Sequence, residues 1–364
     1  MTGQPQPQPQ PQAQAATPRT PYRYTDPTPP QEATGTAAEL YAQMAVDFGI
    51  PEPAPFVVLS SAPELFAPAW ALMRESLLAG PGSRTGKKVA ALGVSLANRC
   101  PFCVDAHTLL LHATGERDLA DTVTGGGVPE TVQHARVLAW AQASRTPGAP
   151  ELAQVPFAAA DAAGYIGTVL AFHFINRIAS ALLHDELMPE GVRPQDVLRS
   201  PAGEALAQAM RRTPEPGASL RFLPPTPQSD PNQPSNAPSW AAGTPVAPAY
   251  EALRAAASMG AGLLSEEDQA LVRGTVDGWD GAHPPLHWPE LPGADRPGAR
   301  LAVLAALAPY RITEEDVAAW LTPPHTDHCL VHLVAYGAFL AVERVERALA
   351  AAWTGVPAAG RTRP

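Results

Sequence analysis

Outside two proline-dense stretches, apolar residues in this 364-residue chain recur at spacings of three and four, and the alternation of β-branched residues that marks strands is scarce. Alanine, leucine, glutamate and arginine dominate those regions, residues that lose little side-chain freedom in a helix. Burial of one face of each helix is then the available route to a core. The expected fold class is all-α.

The proline-dense stretches set the organisation. Residues 1–35 are rich in proline and glutamine; proline removes backbone donors and glutamine offers nothing apolar to bury, so a disordered tail is expected. Residues 201–248 include Leu223-Pro224-Pro225-Thr226-Pro227 and read as a linker region. This leaves a first helical unit at 36–200, a second at 249–353 and a short tail at 354–364.

Local signals place the helices. Residues 87–98 read as one helix, and Pro101 disfavours an α conformation at Cys100, so the chain should break there. A second helix restarts at Pro101, where the missing donor costs nothing, and runs to about His112 before Gly115 offers a cap. Further on, Ser265-Glu266-Glu267-Asp268 and Thr313-Glu314-Glu315-Asp316 resemble capping boxes with aspartate in the reciprocal position. The run from His134 to Trp140 resembles that from Gly298 to Leu304, and the apolar residues 166–183 have a counterpart in 330–349. The second unit can therefore be read as a degenerate repeat of the first, although two ordinary alanine-rich helix pairs would give the same pattern.

Charge narrows the function. A net charge of −10 and a pI near 5.5 leave no basic surface for a nucleic acid backbone or an anionic membrane, so neither is expected as a partner. No run of about 18 apolar residues is apparent, and Met1-Thr2-Gly3-Gln4-Pro5 begins no basic-then-apolar leader, which suggests a cytoplasmic location.

Three cysteines are too few for a disulfide framework in a chain of this size. Cys329 stands alone and reads as a small buried apolar side chain. Cys100, Cys103 and His107 instead follow one another at i, i+3 and i+7, along one stripe of a helix. At a helix N-terminus the unpaired amides and the dipole favour a thiolate, and His107 can take up the thiol proton. A thiolate that attacks a peroxide becomes a sulfenic acid, and a second thiol three residues away condenses with it. Other readings weigh less. Half of a zinc site would need a second cysteine pair, a thioredoxin-like site would need a βαβ unit, and two buried cysteines without a role remain the bland alternative.

The run Ser95-Leu96-Ala97-Asn98-Arg99-Cys100-Pro101-Phe102-Cys103-Val104-Asp105-Ala106-His107 resembles the core signature of the AhpD-like alkylhydroperoxidases within the carboxymuconolactone decarboxylase superfamily. Looser similarity surrounds it, at Tyr41 to Gly49, Pro63 to Trp70 and Phe172 to Arg177, and the resemblance covers about residues 36–195. It implies an AhpD-like helical bundle that assembles into homo-oligomers, with Cys103 attacking the hydroperoxide and Cys100 resolving the product. It also implies a lipoylated or thioredoxin-like protein as reductant and no bound cofactor. Members that decarboxylate muconolactones lack the dithiol. One position departs from the pattern: the family glutamate twelve residues before the first cysteine, which joins the histidine in a proton relay, is Lys88 here. Asp105 and Glu75 are candidate substitutes.

Other clusters carry weaker signals. His325, His328, Cys329 and His332 gather near a helix start, and His328 and His332 at i, i+4 suit zinc or nickel, yet Asp327 reads as an N-cap and solvated histidines explain the segment, so no metal site is assigned. His283-Pro284-Pro285-Leu286-His287-Trp288 reads as a rigid loop whose tryptophan packs on the bundle. His112 and His173 receive no role. The reading is a thiol-dependent peroxidase that reduces hydroperoxides through the Cys100/Cys103 cycle, with a redox-responsive binding or structural protein of low turnover as the alternative.

Overall fold

Helices dominate, as the spacing predicts, and the described residues contain no strand, only an isolated bridge between Tyr22 and Leu183. The computed structural model describes residues 20–187, 194–225 and 237–353. Residues 1–19 of the expected tail, 226–236 of the expected linker and the tail at 354–364 lie outside them.

Among the described residues the chain forms α1 (Gly35–Asp47), α2 (Ala54–Leu59), α3 (Pro63–Met73), α4 (Arg84–Ala97), α5 (Pro101–Ala113), α6 (Arg117–Thr124), α7 (Val132–Ala143) and α8 (Ala162–Leu182). It continues with α9 (Pro194–Leu198), α10 (Pro201–Arg211), α11 (Val246–Ser258), α12 (Glu266–Asp277), α13 (Pro297–Leu307), α14 (Glu314–Trp320) and α15 (Asp327–Trp353). After Met73, α3 runs on into a π-helical stretch, Arg74–Leu78, closed by the Ala79 amide on the Arg74 carbonyl at 2.9 Å.

Helix α8 is the axis of the molecule. Every residue in it is buried, and α3, α4, α5, α11, α13 and α15 pack around it. Residues 159–182 and α15 are long and apolar enough to cross a membrane by length and composition, but the most apolar stretch of the first is wholly buried within the protein and that of the second largely so. Both are core helices. A single hydrophobic core runs through residues 40–349, so the two helical units share one interior. Helices α13 and α15 meet at Gly337, where an added Cβ would lie 2.1 Å from the Ala302 carbonyl oxygen; only glycine permits that approach.

Two stretches expected to lack structure are partly built into the fold. In the tail, Arg23 donates from its amide to the Leu182 carbonyl at 3.0 Å and from its guanidinium to the Ile312 carbonyl at 2.8 Å. In the linker, α10 packs on α5 and α1, its N-cap Ser200 accepting from the Gly203 amide at 3.2 Å. Next to a proline-dense stretch, a short amphipathic segment escaped notice.

Both expected capping boxes mark helix starts, and one of them is complete. Thr313 and Asp316 form a reciprocal capping box, while Ser265 accepts from the Asp268 amide and Asp268 turns its carboxylate to Arg296. Asp327 opens α15, but its carboxylate accepts from the Asp26 amide at 2.9 Å instead of capping its own helix. The paired segments of the apparent repeat are placed differently: α13 lies directly along α15, whereas α7 packs on α4 and α4 on α8.

Candidate active site

The turn before the dithiol is a Schellman ending of α4. Cys100 donates its amide to the Ser95 carbonyl at 3.1 Å and Arg99 donates to Leu96 at 3.1 Å, which satisfies two of the carbonyls that a helix end leaves over. Arg99 takes the left-handed conformation usually given to glycine, with φ 54°. Cys100 follows in extended backbone as the N-cap of α5, and its Sγ accepts from the Cys103 amide at 3.4 Å. At the far end of α5, Gly115 at φ 90° closes a second Schellman turn, the Glu116 amide on the Leu111 carbonyl at 2.9 Å. Both breaks fall where Pro101 and Gly115 predict them.

The two sulfurs lie 2.7 Å apart, both buried and not joined in a disulfide. Cys103 and His107 line a cavity of about 490 Å³, within the usual range for small-molecule pockets, and Cys100 is not among its lining residues. Its walls are mainly apolar, including Phe48, Met73, Phe102, Phe172, Ile175 and Leu206. Phe172 meets the His107 ring edge to face, with centroids 4.4 Å apart.

Electrostatics hold this site neutral. Burial, with the Cys100 thiol against it, pushes the Cys103 thiol well up from its ordinary value, and a hydrogen bond with Asn176 pulls it partly back. Burial, aided by the charge of Lys88, brings His107 down to about 3, and its Nδ1 has no hydrogen-bond partner. In this closed state the proton therefore stays on Cys103 and not on His107.

Behind the thiols lies a polar network that joins α4, α7 and α8 to the distal helices. Asn98 Nδ2 donates to Asn176 Oδ1 at 3.0 Å, Asn176 donates to Ser95 Oγ at 3.1 Å, and Arg145 donates to Asn98 Oδ1 at 3.0 Å. His173 sits between Ser144 Oγ at 2.8 Å and Asn98 Nδ2 at 3.2 Å. Arg145 and Arg177 are buried guanidiniums; Arg177 donates to the Ala306 carbonyl at 2.7 Å and Arg145 to the Leu307 carbonyl at 3.4 Å, the orphan acceptors at the end of α13. Trp279 lies across both, 4.9 Å from the Arg145 guanidinium and 5.8 Å from that of Arg177.

Residues 64–143 match the carboxymuconolactone decarboxylase family. The chain is also 35% identical over 348 residues to the alkyl hydroperoxide reductase Rv2159c of Mycobacterium tuberculosis, a match covering 93% of this chain and 96% of that protein. The chain is an AhpD-like member of the carboxymuconolactone decarboxylase family. No solved structure matches it significantly.

Within this family frame, the position of the relay glutamate holds a buried lysine. Lys88 Nζ donates to Thr114 Oγ1 at 3.1 Å, and burial followed by the charge of Arg84 lowers it to about 8. Neither expected substitute lines the cavity. Glu75 pairs with Arg74 at 2.5 Å and accepts from the Gly217 amide at 2.7 Å and from Ser219 Oγ at 2.6 Å, so it anchors the segment before α11. Asp105 is half-buried, two residues and more than half a turn past Cys103.

The remaining histidines divide clearly. His112 bonds Asp121 at 2.9 Å, and His325 stacks on Trp320 with centroids 4.1 Å apart. His283 reaches the Ala97 carbonyl at 3.0 Å and Tyr310 OH at 2.9 Å, so the proline loop closes the end of α4; Trp288 packs on the core, as expected, and His287 is exposed. Cys329 is only half-buried. Sequence reasoning assigned no role to Asn98, Arg145 or Asn176; for Asn176 the available signal was a polar side chain inside an otherwise apolar helix, whereas Asn98 and Arg145 lie just past the ends of α4 and α7.

Proposed function

We propose that this protein is a thiol-dependent peroxidase that reduces hydroperoxides at Cys103. The observation that carries the reading is the asymmetry of the dithiol: Cys103 opens on an apolar cavity shared with His107, and Cys100 stands 2.7 Å behind it. The entering hydroperoxide brings its own donor and acceptor to the apolar cavity, giving His107 and Cys103 hydrogen bonds that offset the burial holding them neutral. His107 then takes the thiol proton, and the Cys103 thiolate attacks the terminal peroxide oxygen. The O–O bond breaks, the alcohol leaves with a proton, and Cys103 becomes a sulfenic acid. Cys100 displaces water from it to form the disulfide, and two thiols of a lipoylated or thioredoxin-like protein restore the pair. The apolar lining favours an organic hydroperoxide over hydrogen peroxide. Assembly into homo-oligomers belongs to the same proposal.

A second reading has a specific observation behind it. Burial, and then the charge of Lys88, depress His107, so the dithiol can react once with oxidant and turn over poorly, as in a redox-responsive protein. Steady-state consumption of cumene hydroperoxide with a dithiol reductant separates the two. Continuous turnover, faster than with hydrogen peroxide, is expected; a single equivalent consumed and then none would favour the responsive protein.

A further inference from the structure

Far along the chain from the dithiol, two helix starts converge. Glu64 stands in the first turn of α3, and His328 and His332 stand one turn apart at the start of α15. Glu64 Oε2 lies 3.3 Å from His328 Nε2 and 3.5 Å from His332 Nε2, and the three ligand atoms all fall within 4.8 Å of one another. A charge-assisted N–H···O bond is shorter, about 2.7–2.9 Å. A tetrahedral ion with metal–ligand bonds of about 2.0–2.1 Å spaces its ligand atoms about 3.3–3.4 Å apart. The carboxylate–imidazole distances match the edge of that tetrahedron better than they match a hydrogen bond.

We propose that Glu64, His328 and His332 bind a divalent transition-metal ion of the zinc class. Two imidazoles and a carboxylate suit zinc, cobalt(II) and nickel(II), and three protein ligands leave a fourth position for water. That position faces outward, because Glu64 and His328 are half-exposed while His332 is buried at the base. None of the three lines the dithiol cavity. The ion would clamp α15 to α3, tying a distal helix to the one whose last residue, Met73, lines the cavity wall. His332 Nδ1 is buried with no partner, so the site lacks the outer hydrogen bond that commonly tightens metal-bound histidine by 10–100-fold. An exchangeable ion fits this arrangement better than a permanently held one.

Titration with Co²⁺, followed by its visible d–d absorption, tests the proposal in the full chain carrying Cys100→Ser and Cys103→Ser, which removes the paired thiolates as competing ligands. One ion per chain is expected, with tetrahedral bands and no thiolate charge-transfer band. Glu64→Gln and His328→Gln, at half-exposed positions where the fold tolerates them, should each weaken binding at least about tenfold. Zinc should raise the thermal midpoint of the parent and not that of Glu64→Gln. The proposal is overturned if no saturable binding occurs up to millimolar Co²⁺, or if both variants bind as the parent does.

Discussion

Lys88 keeps its charge at neutral pH, since burial and Arg84 lower it only to about 8, and that charge opposes a proton on His107. Replacing it with methionine removes the charge and keeps the bulk. In Lys88→Met, the rate of thiol loss on adding an organic hydroperoxide at pH 7 is expected to rise at least about tenfold, the low end of what a positioned base contributes. Stopped-flow thiol counting checks this; an unchanged or slower rate would separate Lys88 from the chemistry. His107 also links stability to pH. Its folded value, about 3, lies below the unfolded 6.5, so the unfolded state binds the extra proton between them. The stabilisation is complete above about 6.5 and is lost as pH falls through about 3, up to roughly 4–5 kcal/mol. His107→Asn should therefore unfold at lower pH than the parent in a circular dichroism titration, by part of the span only, because His173 is depressed in the same direction. At this scale the sequence was informative about Cys100, Cys103 and His107, whose spacing alone aligns them. It assigned no role to Asn176, which reaches the site from α8, or to Arg145, which bonds Asn98 from the turn after α7.

Among the elements, α13 and α15 depend on a contact that no spacing rule announces. The methyl group of Gly337→Ala would lie 2.1 Å from the Ala302 carbonyl oxygen, which must force the helices apart. A loss of about 1–3 kcal/mol is expected in urea unfolding, the usual cost of overpacking a tight core. A change below about 0.5 kcal/mol would mean that the helices can slide apart freely. Helix ends were the most legible part of the fold, since Pro101, Gly115 and Thr313 act through local backbone chemistry. Helix α10 was illegible for the converse reason: composition pointed to a linker, and its seat on α5, α9 and α1 cannot be read from local sequence.

The whole molecule is held by one core, with the ends of α4 and α13 stitched together through Arg145, Arg177 and His283. Denaturation followed by tryptophan fluorescence and by circular dichroism should therefore give one coincident transition, since Trp70, Trp140, Trp279 and Trp320 are buried along its length. Two separated transitions would show that the units fold apart. Proline content suggested two units, whereas the shared interior was not legible, because periodicity reports that a face is apolar and not which helix covers it. The same interior presents one thiol to the cavity and holds its partner behind it. The decisive measurement is the number of free thiols in the reduced, metal-free protein before and after one equivalent of an organic hydroperoxide, repeated with Cys103→Ser. Loss of two thiols in the parent, and of none to an intramolecular bond in the variant, is expected. Survival of all three in the parent would contradict a peroxidase role for the dithiol.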